Sequence, residues 1–368
     1  MKVLGTHYRG IWRTPTGTVS VVDQSRLPFE FATLDLNSLE DAVLAIQSMV
    51  VRGAPLIGAT AAYGVALALE GDPSDGRIEE ACRRLHATRP TAVDLAWALG
   101  RMRAALRQVE PSARRRAAFS EAGRISEAYV EQCHAIGIHG LRLIRELVPP
   151  RARRLNILTH CNAGWLCSVD WGTALSPIYM AHDAGIEVHV WVDETRPRNQ
   201  GASLTAFELG AHGVPHTVIA DNLGGHLMQR GEVDLVLVGS DRTTAAGDVC
   251  NKVGTYLKAL AAYDNGVPFY AALPSSTIDW SLDSAGGIPI EERSPREVTH
   301  VTGLSSTGTI ATVRVVPEGS PALNLGFDVT PARLVTGLIT ERGVCHASRD
   351  ALQHSYFDLR AVDLRGAG

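Results

Sequence analysis

The chain has 368 residues, 45% hydrophobic and 20% charged, which excludes a disordered or fibrous protein. Its 35 basic and 39 acidic residues are interspersed and leave a net charge of -4, so a nucleic-acid binder working through a broad basic face is excluded as well. The length exceeds one average core, and two domains sharing a cleft are expected. Cys82, Cys133, Cys161, Cys167, Cys250 and Cys345 stand far apart without a C-x-x-C pair and read as reduced thiols. The first residues hold no apolar core of signal-peptide length, and no window reaches the ~18 apolar residues of a membrane span. A cytoplasmic protein without a membrane partner is the expectation.

In chain order, Val19 to Asp23 and Phe29 to Leu34, split by Gln24-Ser25-Arg26-Leu27-Pro28, predict short strands of a small N-terminal sheet. From Ser38 to about Leu147 the period becomes helical. Leu39, Ala42, Val43, Ile46 and Met49 recur at three and four residues, and Thr91 to Leu106 behaves likewise. The basic segment Pro149-Pro150-Arg151-Ala152-Arg153-Arg154 cannot continue a helix, which places a boundary there and divides the chain into 1–150 and 151–368.

Beyond the boundary, short β-rich runs alternate with helical ones, the pattern of βαβ units around a parallel sheet and of an α/β fold. Strands are predicted at Leu155–Leu158, Val188–Val192, Thr217–Ala220, Leu235–Val238 and Phe269–Ala272. Helices are predicted around Thr173–Ala184, Leu204–His212, Gly225–Gln229 and Lys252–Tyr263.

Ligands of open α/β sheets sit at the carboxyl ends of the strands, where loops meet helix N-termini. Here those ends read Thr159-His160-Cys161-Asn162-Ala163-Gly164, Asp193-Glu194-Thr195-Arg196-Pro197, Asp221-Asn222 and Gly239-Ser240-Asp241-Arg242. Any one of these loops reads equally as helix capping. Their coincidence, with a Cys and an Arg that cap poorly, points to a site. Cys161 would be activated by a helix N-terminus or a nearby cation, and is otherwise an inert buried thiol. Asp241 follows an apolar strand, so desolvation would raise its pKa toward proton transfer at neutral pH; the alternative is pairing with Arg242 or capping a turn. Zinc binding by His160, Cys161, Cys167 and Asp170 fails on ligand spacing.

Two segments suit a phosphate. Arg52-Gly53-Ala54-Pro55 places an Arg and a close-approach Gly before a Pro-started helix, and Asn251-Lys252-Val253-Gly254-Thr255 puts an amide and an ammonium at a helix start. Neither a Walker A run nor a G-x-G-x-x-G after a strand occurs, so nucleotide triphosphates and dinucleotides lose their usual support.

Read together, these loops resemble those of the methylthioribose-1-phosphate isomerases. The matching stretches are Asp23-Gln24 with Leu27-Pro28, Arg52-Gly53-Ala54-Pro55, Arg89-Pro90-Thr91-Ala92-Val93, Thr159 to Gly164, Glu194-Thr195-Arg196-Pro197 with Gln200-Gly201-Ala202, Asp241-Arg242 with Gly247-Asp248-Val249, Asn251 to Tyr256, and Phe327-Asp328-Val329-Thr330-Pro331. The resemblance implies an N-terminal small sheet with helices, a C-terminal Rossmann-like parallel-sheet domain without a dinucleotide, and a homodimer. It implies a cofactor-free, metal-free aldose-ketose isomerase acting on a sugar 1-phosphate in methionine salvage. Cys161 and Asp241 would form the catalytic pair, and Arg52, Gly53, Ala54, Arg89, Gln200, Asn251 and Lys252 would contact substrate. Asp94 stands where Asn is expected, Ala246 where Asn is common, and Leu325-Gly326 where Pro-Ala usually precedes Phe-Asp. Isomerases of 5-deoxyribose 1-phosphate or ribose 1,5-bisphosphate would need the same reacting groups. Regulatory subunits of the eukaryotic translation-initiation exchange factor share the fold without enzymatic activity, and the presence of both Cys161 and Asp241 argues against that class.

Overall fold

The computed structural model describes residues 1–3, 5–147 and 154–356, so the predicted boundary between residues 150 and 151 lies outside the described residues. Strands β1 (Lys2–Val3) and β2 (Thr6–His7) pair as a short ribbon, and β3 (Ile11–Arg13), β4 (Val19–Val22) and β5 (Thr33–Leu36) form an antiparallel sheet. The strand predicted at Phe29 to Leu34 thus begins later, because the chain is still turning through Asp23 to Glu30 on backbone hydrogen bonds from Arg26 to Asp23 and from Phe29 and Glu30 to Arg26.

Five helices follow: α1 (Leu39–Gln47), α2 (Ala54–Ala68), α3 (Asp75–His86), α4 (Val93–Leu106) and α5 (Pro111–Leu147). Helix α2 is apolar nearly all round and buried throughout, so its neighbours surround it as the centre of one core with Leu36, Leu39, Leu85, Leu95, Met102 and Ile125.

The second half is built on β6 (Leu155–Thr159), α6 (Leu175–Asp183), β7 (Val188–Asp193), α7 (Ala206–His212), β8 (His216–Ile219), α8 (Leu223–Gln229), β9 (Leu235–Val238), β10 (Arg242–Thr244), β11 (Val249–Lys252), α9 (Thr255–Asp264) and β12 (Phe269–Ala272). It continues with β13 (Ile278–Asp279), α10 (Arg296–Thr299), β14 (His300–Leu304), β15 (Ile310–Arg314), β16 (Phe327–Thr330), β17 (Gly337–Thr340), β18 (Gly343–Cys345) and α11 (Arg349–Ser355). The large sheet runs β18-β17-β12-β9-β6-β7-β8, parallel except for the edge strand β18.

Counted along the chain, its six parallel strands lie in the order 3-2-1-4-5-6, so connections leave in opposite directions at the β6–β9 contact and open a crevice there. The apolar runs Leu155–Leu158 and Leu235–Val238 are buried on both faces, as a helix-covered parallel sheet requires. A smaller sheet, β13-β10-β11-β16, stands beyond the ends of β6 and β9, and β14 with β15 forms a hairpin arm.

Gly137 and Gly140 let α5 approach α6 closely. A Cβ on Gly140 would lie 2.3 Å from Pro177 Cγ, a ring that cannot rotate away. Gly140→Val is expected to destabilise the fold by about 1–3 kcal/mol through overpacking, read as a lower urea midpoint at an unchanged slope.

Candidate active site

The loop after β6 enters the crevice in an unusual conformation. Cys161 has φ 66°, a left-handed geometry that costs a non-glycine residue about 1–3 kcal/mol and persists only where neighbours impose it. Here its N–H donates to Thr195 Oγ1 at 2.8 Å, and its carbonyl accepts from Thr205 Oγ1 at 2.7 Å. Thr195, itself at φ 66°, and Arg196 donate their backbone N–H groups to the two oxygens of Asp221, each at 2.7 Å. The loops after β7 and β8 therefore clamp the loop after β6. Asp241 follows β9, the hydrogen-bonded neighbour of β6, so the topology sets both residues at the mouth of one crevice.

All nine residues singled out in the sequence line a single cavity: Cys161, Asp241, Arg52, Gly53, Ala54, Arg89, Gln200, Asn251 and Lys252. Gly53 is required by close approach, since at φ 96° a Cβ would stand 2.5 Å from Cys167 Cα. Helix α2 starts there with Pro55 in its first turn and no side-chain cap, which leaves its N-terminus directed at the cavity. The second phosphate segment differs from expectation. Asn251 and Lys252 end strand β11, and α9 begins only at Thr255 because Asp328 accepts the N–H groups of Gly254 at 2.7 Å and Tyr256 at 3.1 Å. The start of α9 is thus already capped by a carboxylate, and only the two side chains reach the cavity.

Charge is distributed unevenly around this space. Arg89, Arg198, Arg242 and Arg293 are paired with Glu291, Glu297, Asp279 and again Glu291 and Glu297. Arg52 and Lys252 differ. Arg52, 6% exposed, donates to the Asn162 carbonyl at 2.7 Å and to Asn162 Oδ1 at 2.9 Å, both neutral acceptors. Lys252, 7% exposed, donates to the Gly326 carbonyl at 2.8 Å and lies 5.0 Å from the Phe327 ring centre. Among the described residues no carboxylate is hydrogen-bonded to either cation.

Burial pushes the Cys161 thiol up from its ordinary value against the pull of Arg52 and Lys252, so the activation by a nearby cation expected from sequence is outweighed by desolvation. Burial likewise pushes the Asp241 carboxyl up, opposed by Lys252, Arg52 and Arg89. Lys252 is pulled down by burial and held up by Cys161 and Asp241. Arg89 Nε and Gln200 Oε1 are buried without a hydrogen-bond partner among the described residues, leaving one donor and one acceptor for a polar ligand.

These features stand in a chain whose relatives are informative. The initiation factor 2 subunit family matches residues 50–347. The methylthioribose-1-phosphate isomerase of Methylobacterium nodulans is 64% identical over 362 residues, 98% of this chain and 99% of that protein. The chain belongs to the methylthioribose-1-phosphate isomerase family. Its fold matches the crystal structure of 5-methylthioribose 1-phosphate isomerase from Pyrococcus horikoshii OT3 with a TM-score of 0.82 at 38% identity, covering 97% of this chain and 99% of that one. It also matches the translation initiation factor eIF-2B, subunit delta, from A. fulgidus, with a TM-score of 0.78 at 34% identity and 95% and 99% coverage.

Beside this cavity, His160, Asp193 and Asp221 come close enough to suggest a metal, yet most of their oxygen and nitrogen atoms already have protein partners. Asp193 Oδ2 receives His160 Nδ1 at 2.8 Å and the Lys258 ammonium at 3.1 Å. Of the four residues considered for zinc, Asp170 bonds His7 and does not line the cavity.

Sequence reading missed Glu208. It is fully enclosed and accepts hydrogen bonds from Asn162 Nδ2, the N–H groups of Trp165 and Leu166, and Tyr179 Oη, at 2.6–3.0 Å. Through Asn162 it fixes Arg52. Its spacing on an amphipathic helix resembles that of any solvated Glu, so no local signal marks it. Glu208→Ala leaves four buried donors unpaired and is expected to cost about 2–4 kcal/mol in urea unfolding, with Glu208→Gln recovering part of the loss.

Proposed function

We propose that this protein interconverts 5-methylthioribose 1-phosphate and 5-methylthioribulose 1-phosphate in methionine salvage. The carrying observation is that Cys161 and Asp241 lie at adjacent central strand ends in a cavity holding two buried cations without hydrogen-bonded carboxylates.

The substrate's phosphate locks C1 as an acetal, so isomerisation cannot start from a free aldehyde. The ring oxygen must gain a proton as its bond to C1 breaks. The C2 hydrogen arrives at C1, and the C2 hydroxyl loses its proton to become the ketone. Atoms and charge then balance without an external oxidant. Arg52, Lys252 and the uncapped N-terminus of α2 suit the phosphate dianion, with Gly53 and Ala54 admitting it to the backbone. Arg89, Gln200 and Asn251 suit the sugar hydroxyls.

Cys161 works at the carbon centre and Asp241 at the ring or C2 oxygen. A thiol raised by burial is scarcely ionised when the site is empty, but its thiolate is the stronger base once formed. A carboxyl raised by burial carries a proton closer to neutrality. Met49, Ile288 and Pro289 give the cavity an apolar flank that favours a methylthio group over a second phosphate at C5. We place the protein in the cytoplasm, a reading supported by six free cysteines. No helix among the described residues is long and apolar enough to cross a membrane. A homodimer belongs to the same reading, supported by Leu304, Ile310 and Val313 left exposed on the β14–β15 arm.

Cys161→Ser and Asp241→Asn should each bind substrate but turn it over at least ~100-fold more slowly. The double variant should lose little more than either single one, because a half-dismantled proton-handling unit leaves little to remove. Near-wild-type turnover of either single variant removes that residue from the mechanism. Lys252→Ala should chiefly raise KM; a collapsed kcat at unchanged KM assigns it to catalysis. Turnover on methylthioribose 1-phosphate should exceed that on 5-deoxyribose 1-phosphate and ribose 1,5-bisphosphate, and the reverse order reassigns the substrate.

A further inference from the structure

The residue before Cys161 carries a buried side chain that the proposed chemistry does not use. His160 stands against the cavity with its ring wholly buried and both ring nitrogens engaged. Nε2 lies 2.9 Å from the Val253 carbonyl, an acceptor with no proton to give, so Nε2 carries a hydrogen and donates it. Nδ1 lies 2.8 Å from Asp193 Oδ2, and the Lys258 ammonium reaches the same oxygen at 3.1 Å. An oxygen shared with an ammonium is that of a carboxylate, which can only accept, so Nδ1 donates as well. With a hydrogen on each nitrogen, the ring is an imidazolium.

Its charged surroundings come from four other parts of the fold. Asp193 ends β7, Lys258 stands on α9, Asp221 follows β8 and Asp328 lies on β16. Asp221 brings a carboxylate oxygen within 4.8 Å of both His160 and Asp193. Asp328 accepts the N–H of Gly254, the residue against which the ring packs. Three carboxylates face the single ammonium of Lys258, and the imidazolium adds the second positive charge that this cluster accommodates. Gly254 is required by the contact, since at φ 105° a Cβ would stand 2.9 Å from His160 Cε1 and 3.0 Å from Nε2.

The two ends of this ring join two parts of the site. His160 precedes Cys161, and Val253 follows Lys252. The Val253 N–H and the Lys252 ammonium both donate to the Gly326 carbonyl, at 3.3 and 2.8 Å, so the backbone that His160 grips belongs to the turn that aims the ammonium.

We propose that His160 is a positioning residue, a doubly protonated strut that fixes the loop of Cys161 against the turn of Lys252. The inference rests on the reading of Lys252 as a cation that takes the substrate's phosphate. A ring held at both nitrogens by charge-assisted bonds has one orientation, so the reacting thiol and the phosphate cation keep one separation.

Neutron diffraction from wild-type crystals at about pH 7.5, where an ordinary histidine is mostly neutral, should show deuterium on both ring nitrogens of His160. A bare nitrogen overturns the charged strut, and this result needs no variant to fold. Two substitutions then divide the bonds. His160→Asn keeps an amide donor near the place of Nδ1 and loses the bond to Val253, whereas His160→Gln reaches as far as Nε2 does. His160→Asn should raise KM about 10-fold, the worth of one charge-assisted hydrogen bond, and His160→Gln should return it to within about threefold of the wild type. A purely structural lesion would lower the active fraction and hence kcat, and leave KM alone. Equal KM values in the two variants overturn the link to Val253. A raised KM in Lys252→Ala beside a wild-type KM in His160→Asn overturns the strut alone, while an unchanged KM in Lys252→Ala overturns the reading of Lys252 on which the inference rests.

Discussion

Two buried cations organise this structure. A guanidinium and an ammonium at 6% and 7% exposure give up most of their hydration, and such groups normally persist only beside carboxylates or other strong acceptors. Arg52 and Lys252 instead hold neutral acceptors, the backbone and amide oxygens of Asn162 and the carbonyl of Gly326. Each cation comes from a different half of the chain, Arg52 from the turn into α2 and Lys252 from the end of β11. The fold must therefore bring the two parts together against mutual repulsion. Enclosed Glu208 contributes to this by fixing Asn162, and Asp241 offsets part of the positive field without neutralising it. The dianionic substrate proposed above would complete the balance, which would couple its binding to the electrostatics of the reacting groups.

That coupling bears on how the thiol and the carboxyl work. In the empty site desolvation dominates, and both Cys161 and Asp241 hold protons more firmly than in water, although each has cations close by. In the proposed binding mode, a phosphate on Arg52 and Lys252 would screen those cations and strengthen the same trend. The proposed reaction would then find protonated acids available for the ring oxygen, and any thiolate formed would be a strong base in a water-poor space. The strained backbone of Cys161 belongs to this arrangement. Thr195 and Thr205 hold the residue at φ 66° from two other loops, and a site built this way resists drifting to a relaxed loop geometry.

Much of this was legible in the chain, and the reasons are physical. Leu155–Leu158, Leu235–Val238 and Phe269–Ala272 were readable because strands covered on both faces need largely apolar runs, broken here only by Asn156 and the hydroxyl of Tyr270, and the loops after them gather chemistry by topology. Strands β10, β11, β13 and β16 were not, since residues such as Arg242-Thr243-Thr244 and Asn251-Lys252 carry no apolar alternation, and their pairing partners lie up to 81 residues apart, as from Val249 to Thr330. The same blindness misplaced Lys252 at a helix start, because the turn at Gly254 and the capping by distant Asp328 decide where α9 begins. Glu208 shows the remaining limit. A carboxylate at helical spacing reads as solvated until the packing around it is known.

The kinship with translation-factor subunits makes the same point about function. Chains of 38% and 34% identity, one an isomerase and the other an initiation-factor subunit, superpose on this one almost equally well, so the fold by itself does not separate catalysis from assembly. The cavity does. A subunit that only docks on partners has no use for unneutralised cations inside the protein, an energetically unfavourable cysteine conformation and orphaned polar atoms on Arg89 and Gln200. Each lowers stability, and mutation without selection for chemistry would relax them toward neutral packing. Their joint presence at the β6–β9 crevice is what the proposed proton transfers on a charged sugar require.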